Sequence, residues 1–183
     1  MAKLNTLQDV YIDSLRDLYN AEAQITKALP RVIKSISNED LRSALESHLE
    51  ETEGQLERLE QVFEMVGSKV RGKKCVAMEG IIEEAKELIS TDIDDNAFDA
   101  AMIGALQKVE HYEIAAYGTV RTWAQQLGFD DQADLLEQTL NEEKAANDKL
   151  TQIAESIVNV EAQLSEPTYE ISHNGLNGHR KRR

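Results

Sequence analysis

Cysteine, proline and aromatic residues are scarce in this chain of 183 residues, and each shortage excludes a class of protein. The one cysteine, Cys75, excludes an intramolecular disulfide framework and predicts a reducing compartment. Two prolines, nine glycines and 5% aromatic residues argue against collagen-like, disordered and all-β chains. No apolar run has the length of a signal peptide or of a membrane span of about 18 residues, so we expect a cytoplasmic protein without a membrane partner.

Positive charge is also scarce, because the net charge is −14 at pH 7. A body this acidic repels nucleic acid, and only the segment Arg180-Lys181-Arg182-Arg183 is strongly basic, so a nucleic-acid partner is not expected. The length suits one domain. We therefore predict a single folded domain over residues 1–165 and a mobile, basic-ended tail over residues 166–183.

Hydrophobic periodicity predicts four long helices. Thr6 is the expected cap of the first helix and Ser37 of the second, while Gly67 and Gly128 mark the ends of the second and third. The fourth helix ends before Pro167. Apolar residues recur every three or four positions in each helix: Tyr11, Leu15, Leu18, Ile25, Leu29, Val32, Ile36; Leu41, Leu45, Leu49, Leu56, Leu59, Phe63, Val66; Met102, Leu106, Val109, Ala116, Val120, Trp123, Leu127; Leu136, Leu140, Leu150, Ile157, Leu164.

The connections between the helices identify the type of bundle. Short turns join helices one and two, and three and four, whereas residues 67–96 form a long crossover with a short amphipathic helix from about Glu79 to Ile89. Two hairpins joined by one long crossover are typical of ferritin-like bundles. The predicted fold class is thus all-α, a ferritin-like four-helix bundle whose crossover between helices two and three carries a short extra helix.

Acidic residues interrupt the apolar pattern of three helices near mid-length. Glu22 in the first, Glu113 in the third with Glu110 one turn before it, and Glu143 in the fourth all fall on the inward face. A lone glutamate at such a position usually reaches solvent or pairs with a cation, and Arg58 and Arg121 are the nearest candidates. Several buried acids together must be protonated, paired or bound to metal, and metal satisfies the most acids at once.

The second helix leaves its inward acid undecided. Glu51 and Glu53 flank Thr52 on either side, and periodicity does not choose between them. His48 precedes Glu51 by one turn, which reverses the Glu-x-x-His order of metal-binding bundles, since the residue three after Glu51 is Gly54. Whether His48, Gln55, His111 or Asn147 joins the site stays open at this level.

Several segments, in order, resemble the YciE/YciF-type stress proteins: Asp17-Leu18-Tyr19-Asn20-Ala21-Glu22, His48-Leu49-Glu50-Glu51-Thr52, Lys74-Cys75-Val76-Ala77-Met78-Glu79-Gly80, Lys108-Val109-Glu110-His111-Tyr112-Glu113 and Glu142-Glu143-Lys144. The likeness runs from about residue 4 to residue 162. It implies a ferritin-like, rubrerythrin-related bundle, usually a homodimer, that is linked to bacterial stress responses. Carried over by position, the metal ligands would be Glu22, Glu51, Glu110, Glu113 and Glu143.

Two functional hypotheses follow. In the first, two divalent iron or manganese ions per chain carry out redox chemistry on peroxide or ferrous iron, with Tyr19 or Tyr112 orienting an acid. In the second, the chain is a non-catalytic dimeric stress-response module whose metal site is structural and which acts through a partner. Lys73 and Lys74 carry the charge that lowers the pKa of a neighbouring thiol such as Cys75, but without a second thiol or a base a catalytic role for Cys75 is not expected.

Overall fold

A computed structural model describes residues 4–165, which fold into six α-helices. They are α1 (Leu7–Ser35), α2 (Glu39–Met65), α3 (Val76–Ile89), α4 (Asp95–Gln126), α5 (Asp130–Ile153) and α6 (Asn159–Leu164), with a π-helical turn at Ala154–Val158 between the last two. Within these residues no helix is long and apolar enough to span a membrane. The predicted tail, residues 166–183, lies outside the described part of the chain.

Local sequence signals place most of the helix ends. Thr6 forms a complete capping box with Asp9 at the start of α1. Gly67 and Gly128 adopt positive φ angles of 64° and 74° just after α2 and α4, a conformation that favours glycine. One predicted cap was wrong: Asn38, not Ser37, caps α2, because the Asn38 side chain accepts the amide of Leu41. The crossover helix also begins earlier than predicted, at Val76.

The four long helices form a ring in the order α1, α2, α5, α4, with each helix antiparallel to its neighbours. At one end, Asp99 of α4 accepts the backbone amides of Ser37 and Asn38 from the turn between α1 and α2. At the other end, Tyr11 of α1 donates a 2.8 Å hydrogen bond to Gln132 of α5. The connection from α2 to α4 therefore travels the length of the bundle, and the predicted ferritin-like arrangement is confirmed.

The crossover is held against the side of the bundle. Its Lys73 amide donates to the Arg16 carbonyl over 2.9 Å, and the Cys75 amide donates to Asn20 Oδ1 over 2.7 Å. Gly72 lies so close to Asn20 that an added Cβ would stand 3.2 Å from the Asn20 Cβ. From this anchor α3 packs against α1 and α4.

The core consists of two apolar clusters, one toward each end of the bundle. The cluster at the Asp99 end includes Ile25, Leu45, Val109 and Leu150, and the cluster at the Tyr11 end includes Leu18, Leu59, Tyr117 and Leu140. On every long helix the two clusters are separated by buried polar side chains at mid-length. The centre of this bundle is therefore polar.

The inward faces of α2 and α4 differ from the predicted ones. On α2, Leu49 and Leu56 are only half-buried, and the buried face runs through polar residues instead. On α4, Tyr117 and Ala124 are buried in place of Ala116, Trp123 and Leu127. On α2, hydrophobic periodicity selected the wrong neighbours because it does not register a polar residue as buried.

Candidate metal centre

Six buried polar residues from all four long helices meet between the two apolar clusters. We call this set the polar layer, and it consists of Glu22 on α1, His48 and Gln55 on α2, Glu110 and Glu113 on α4, and Glu143 on α5. Each is at most 6% exposed. The residues come from different helices, so the bundle itself brings them together.

Four members of the polar layer lie close enough together to bind one ion. Nitrogen or oxygen atoms of His48, Glu110, Glu113 and Glu143 all lie within 4.8 Å of one another. His48 Nε2 is 3.4 Å from Glu110 Oε1. Glu110 and Glu113 point the same way because residues three apart share a helix face. Imidazole and carboxylate groups in one small volume are a ligand set for a transition-metal ion.

Glu22 lies at the edge of this group of four. The carboxyls of Glu22 and Glu113 are close enough for each to shift the pKa of the other. Glu22 Oε1 accepts a 2.5 Å hydrogen bond from the hydroxyl of Tyr117. The predicted ligands Glu22, Glu110, Glu113 and Glu143 are therefore all brought together in the buried centre.

Glu51, the predicted ligand on α2, stands apart from them. Its side chain is 51% exposed, and its Oε2 is 3.8 Å from Nδ1 of His48. The inward position on this part of α2 belongs to His48. The signal was present in the sequence, because positions 41, 45, 48, 52, 55, 59 and 62 keep an unbroken spacing of three or four, with polar residues in the middle.

Many polar atoms of the layer have no hydrogen-bond partner. They are Glu22 Oε2, Glu110 Oε2, Glu113 Oε1, Glu143 Oε2, Gln55 Oε1 and both ring nitrogens of His48. A buried polar atom without a partner costs about 1–3 kcal/mol, so native proteins contain few of them. Their concentration in one layer indicates a place prepared for a ligand.

Burial makes the ionised acids unfavourable in the absence of that ligand. Burial raises the pKa of Glu22 to about 7, although the hydrogen bond from Tyr117 opposes the shift. Burial and the charges of Glu110 and Glu22 raise the pKa of Glu143 to about 11. The pKa of Glu113 lies well above its ordinary value because of burial and the surrounding carboxylates. In the absence of a cation, the polar layer therefore favours protonated carboxyl groups over ionised ones.

His48 shows the opposite electrostatic balance. Its burial favours the neutral ring, but the neighbouring carboxylates of Glu51, Glu110 and Glu22 together raise the pKa of the imidazole. The centre therefore attracts positive charge.

Among the described residues 4–165, no arginine pairs with the buried carboxylates of the polar layer. Arg58 donates to both carboxylate oxygens of Glu142, at 2.8 and 2.9 Å, and to Thr139. Arg121 pairs with Glu137 on the outside of the bundle. The alternative hypothesis, in which Arg58 and Arg121 pair with the inward acids, is therefore wrong.

Two side chains orient the acids. Gln55 Nε2 donates to Glu143 Oε1, and Tyr117 donates to Glu22. The predicted candidates Tyr19 and Tyr112 have other partners: Tyr19 donates to the exposed Glu60, and Tyr112 donates to Asp17. From the sequence, Tyr117 was one of several aromatic residues able to hydrogen-bond an acid, but it was not chosen as the orienting tyrosine because the hydrophobic pattern placed the inward face one residue away, at Ala116.

The remaining open candidates lie outside the centre. His111 is exposed on α4. Asn147 is half-buried, and its Oδ1 accepts a 3.3 Å hydrogen bond from Gln107.

Cys75 is buried as the cap of α3, with its sulfur 3.0 Å from the Tyr112 hydroxyl. Burial raises the pKa of the Cys75 thiol, and Lys73 and Lys74 pair with Asp13 and Glu79, so the predicted lowering was wrong.

A groove between α2 and α5 leads from the surface to His48 and Glu110 at the edge of the centre. We call it the polar groove for its side chains Asp40, Ser43, Ser47, Glu51 and Lys149, although apolar residues such as Leu45 and Leu150 also line it. Glu51 therefore stands on the path from solvent to His48.

The residues that build this centre lie within one family domain. A family model described as a domain of unknown function, DUF892, matches residues 6–163. The chain belongs to the DUF892 family. It is 51% identical to protein YciF of Escherichia coli strain K12 over 161 residues, which is 87% of this chain and 97% of YciF. The resemblance to YciE/YciF-type proteins is thus confirmed.

Solved structures of similar chains show the same fold. The crystal structure of the E. coli stress protein YciF matches with a TM-score of 0.82 and 52% identity, covering 85% of this chain and 99% of that one. YcfI from Rhodopseudomonas palustris matches with a TM-score of 0.81 and 50% identity over 83% of this chain and 97% of its own. A Xanthomonas campestris protein, 21% identical, has a TM-score of 0.70 over 86% of this chain and 97% of its own, which shows a shared fold alone.

Proposed function

We propose that this DUF892 protein binds two divalent iron or manganese ions in the polar layer and uses them in redox chemistry on peroxide or ferrous iron. One observation carries the proposal: unpartnered carboxylate and imidazole atoms from four helices converge in a buried layer that no arginine or lysine of the described residues enters. A ligand of positive charge would satisfy them together.

The donor atoms fit this metal assignment. Carboxylate oxygens with a single imidazole suit iron and manganese, whereas structural zinc sites are usually rich in thiolate. Four buried carboxylates, when ionised, carry the charge that two divalent ions neutralise. Glu22, His48, Glu110, Glu113 and Glu143 would hold the ions, with Glu51 at the entrance.

The chain's own residues would have distinct tasks around the ions. When bound, the ions would supply the change of oxidation state that redox chemistry on peroxide requires. Tyr117 and Gln55 fix the orientation of Glu22 and Glu143 by hydrogen bonds. The apolar clusters above and below limit water, and the groove past Glu51 gives a small hydrophilic oxidant or a hydrated ion access to His48.

The test measures metal and turnover together. The protein is purified without added metal, analysed for its elements, and then titrated with manganese or ferrous iron; we expect about two ions per chain. Glu113→Gln, which keeps the shape and removes the charge, lowers that number and slows peroxide consumption or ferrous oxidation in parallel. Glu53→Gln, an exposed acid on α2, is the matched control and changes neither. Failure of the wild-type protein to bind these ions would overturn the proposal.

The second candidate function is a structural metal site in a non-catalytic stress-response module. It is favoured by the single imidazole of the polar layer and by Gln55, which occupies one oxygen of Glu143. Stoichiometric metal binding without turnover, together with a higher melting temperature on loading, would support this candidate over the first.

The cellular setting is also proposed by likeness. E. coli YciF is described as a stress protein, and we infer a role in bacterial stress for this chain. A cytoplasmic location agrees with its one buried cysteine. We propose a homodimer, which light scattering of the purified chain tests directly.

A further inference from the structure

A second, apolar pocket opens on the opposite side of the bundle from the polar groove. It lies between α1, α3 and α4 and has a cavity volume of about 120 Å³. Its walls are aliphatic: Ile25, Ala28, Leu29, Val32, Ile82, Ala85, Ile89, Ala105, Leu106, Val109. A predominantly aliphatic lining is typical of small-molecule sites.

The helix that covers this pocket leaves much of its own apolar face unburied. In α3 only Met78 is fully buried. Ile82, Ala85 and Ile89 pack against the core cluster at the Asp99 end but remain half-buried beside the pocket. An apolar helix face normally packs against a core. Here part of it faces open space, so an apolar group inside the pocket would bury surface that the chain itself leaves accessible.

The mouth of the pocket is positively charged. Lys27 and Arg31, one turn apart on α1, and Lys86 on α3 are exposed and stand at its rim. Lys86 makes a 3.2 Å ion pair with the exposed Glu83, whereas Lys27 and Arg31 form no ion pair within residues 4–165. Three cations around one opening stand out on a chain with a net charge of −14.

The one acid that lines the pocket is on its inner wall. Glu110 is 1% exposed and His48 is 6% exposed, so both lie deep within the bundle. From its mouth inward, the pocket therefore presents cations, then aliphatic walls, then the edge of the polar layer. A ligand that matches the first two regions has a negative head and an aliphatic tail.

We propose that this pocket binds an amphiphilic carboxylate with a medium-length alkyl chain, the chemistry of a free fatty acid. The alkyl chain lies among the aliphatic side chains of α1, α3 and α4, and the carboxylate lies at the rim with Lys27, Arg31 and Lys86. The binding depends on neither metal nor turnover, so it goes beyond the proposed redox function and can be measured on metal-free protein.

Isothermal titration of the metal-free full-length chain with decanoate tests the head group and the tail. Decyltrimethylammonium and decanol serve as probes with the same tail but a positive or a neutral head. We expect one decanoate per pocket and affinity for both other probes that is weaker by about tenfold or more. Absence of decanoate binding, or equal affinity for all three probes, would overturn the proposal.

Two charge-reversal variants locate the head group. Lys27→Glu with Arg31→Glu lowers decanoate affinity by about tenfold or more. Lys34→Glu with Lys144→Glu is the matched control, since it gives the same net charge from exposed residues that do not line the pocket. Equal losses in both double variants would show a general charge effect and contradict a site at this rim.

A third variant locates the tail. Ala85→Trp on α3 fills the pocket from its half-buried wall and abolishes decanoate binding, while circular dichroism remains helical. Unchanged binding in this variant contradicts the proposal. If wild-type protein instead excludes decanoate, and Ala85→Trp converts a dimer into a monomer by light scattering, the occupant is a second copy of the chain and the proposal is wrong.

Discussion

Tyr117 on α4 donates a 2.5 Å hydrogen bond to Glu22 Oε1 on α1, which joins two neighbouring helices inside the core. The bond occupies one carboxylate oxygen and leaves Oε2 without a partner. Glu22 is thereby held in one orientation with a free oxygen that remains available for another ligand. The tyrosine that performs this task belongs to the apolar cluster at the Tyr11 end, so packing fixes its position.

Removal of that hydroxyl should weaken metal binding without unfolding the bundle. In Tyr117→Phe the ring still packs, but Glu22 loses its donor and becomes a more mobile ligand. We expect about 10–100-fold lower affinity for manganese, measured by competition with a chromophoric chelator. Tyr19→Phe, which removes a hydroxyl bonded to the exposed Glu60, is the control and binds normally. Equal affinities in the two variants would contradict the assigned role of Tyr117.

Metal-free protein should become less stable as the pH rises. The folded-state pKa of Glu22, about 7, lies above the ordinary value of 4.5, so the folded state retains a proton that the unfolded chain has lost. The stability that this group contributes is fully present below about pH 4.5. It is lost as the pH rises to about 7, which lowers the free energy of unfolding by about 3 kcal/mol. Glu143, with a pKa of about 11, extends the loss to higher pH. Urea unfolding with a chelator at several pH values measures the slope.

Two further measurements identify the polar layer as the source of this slope. Saturating manganese should flatten it, because bound cations replace the protons. Glu113→Gln removes an acid that the folded state keeps protonated well above its ordinary pKa, so the metal-free variant should lose less stability between about pH 5 and pH 8. An unchanged slope in this variant would place the titration elsewhere.

Glu51 should govern how fast metal enters rather than how much is bound. It is half-exposed on the wall of the polar groove, 3.8 Å from His48 Nδ1. Glu51→Gln removes a negative charge from the path of a cation, so we expect about two- to tenfold slower loading at low salt and little change in final stoichiometry. Stopped-flow absorbance of cobalt binding follows the rate. Glu53→Gln should load as the wild type does, and a large loss of bound metal in Glu51→Gln would instead make Glu51 a ligand.

Asp99 should be important for stability although it is remote from the centre. Its carboxylate accepts the amides of Ser37 over 3.2 Å and Asn38 over 2.7 Å, and thereby ties the start of α4 to the turn between α1 and α2. Asp99→Ala leaves two backbone donors without a partner and should lower the free energy of unfolding by about 2–4 kcal/mol. Asp95→Ala, an exposed neighbour, is the control for urea unfolding. Similar losses in both variants would show that the tie contributes little.

Sequence patterns predicted the fold well, because it rests on long periodic helices and on the lengths of their connections. The inward acids on α1, α4 and α5 were also found, since each interrupts an otherwise apolar face. The pattern was least informative on α2, where His48, Thr52 and Gln55 occupy consecutive inward positions and leave no apolar residue to mark the face. The helical spacing does place His48 rather than Glu51 or Glu53 inward, but only when polar residues are accepted on the buried face, and hydrophobicity alone does not indicate that.

The division of the core into two apolar clusters also bears on how the protein unfolds. Each cluster packs one end of the bundle, and between them the side chains are polar and poorly paired. Without a ligand in the middle, the two halves are linked mainly by helix backbones, so each half can open with its own free energy. Ions bound by residues of all four helices would couple the two halves, so that the loaded bundle would unfold as one cooperative unit.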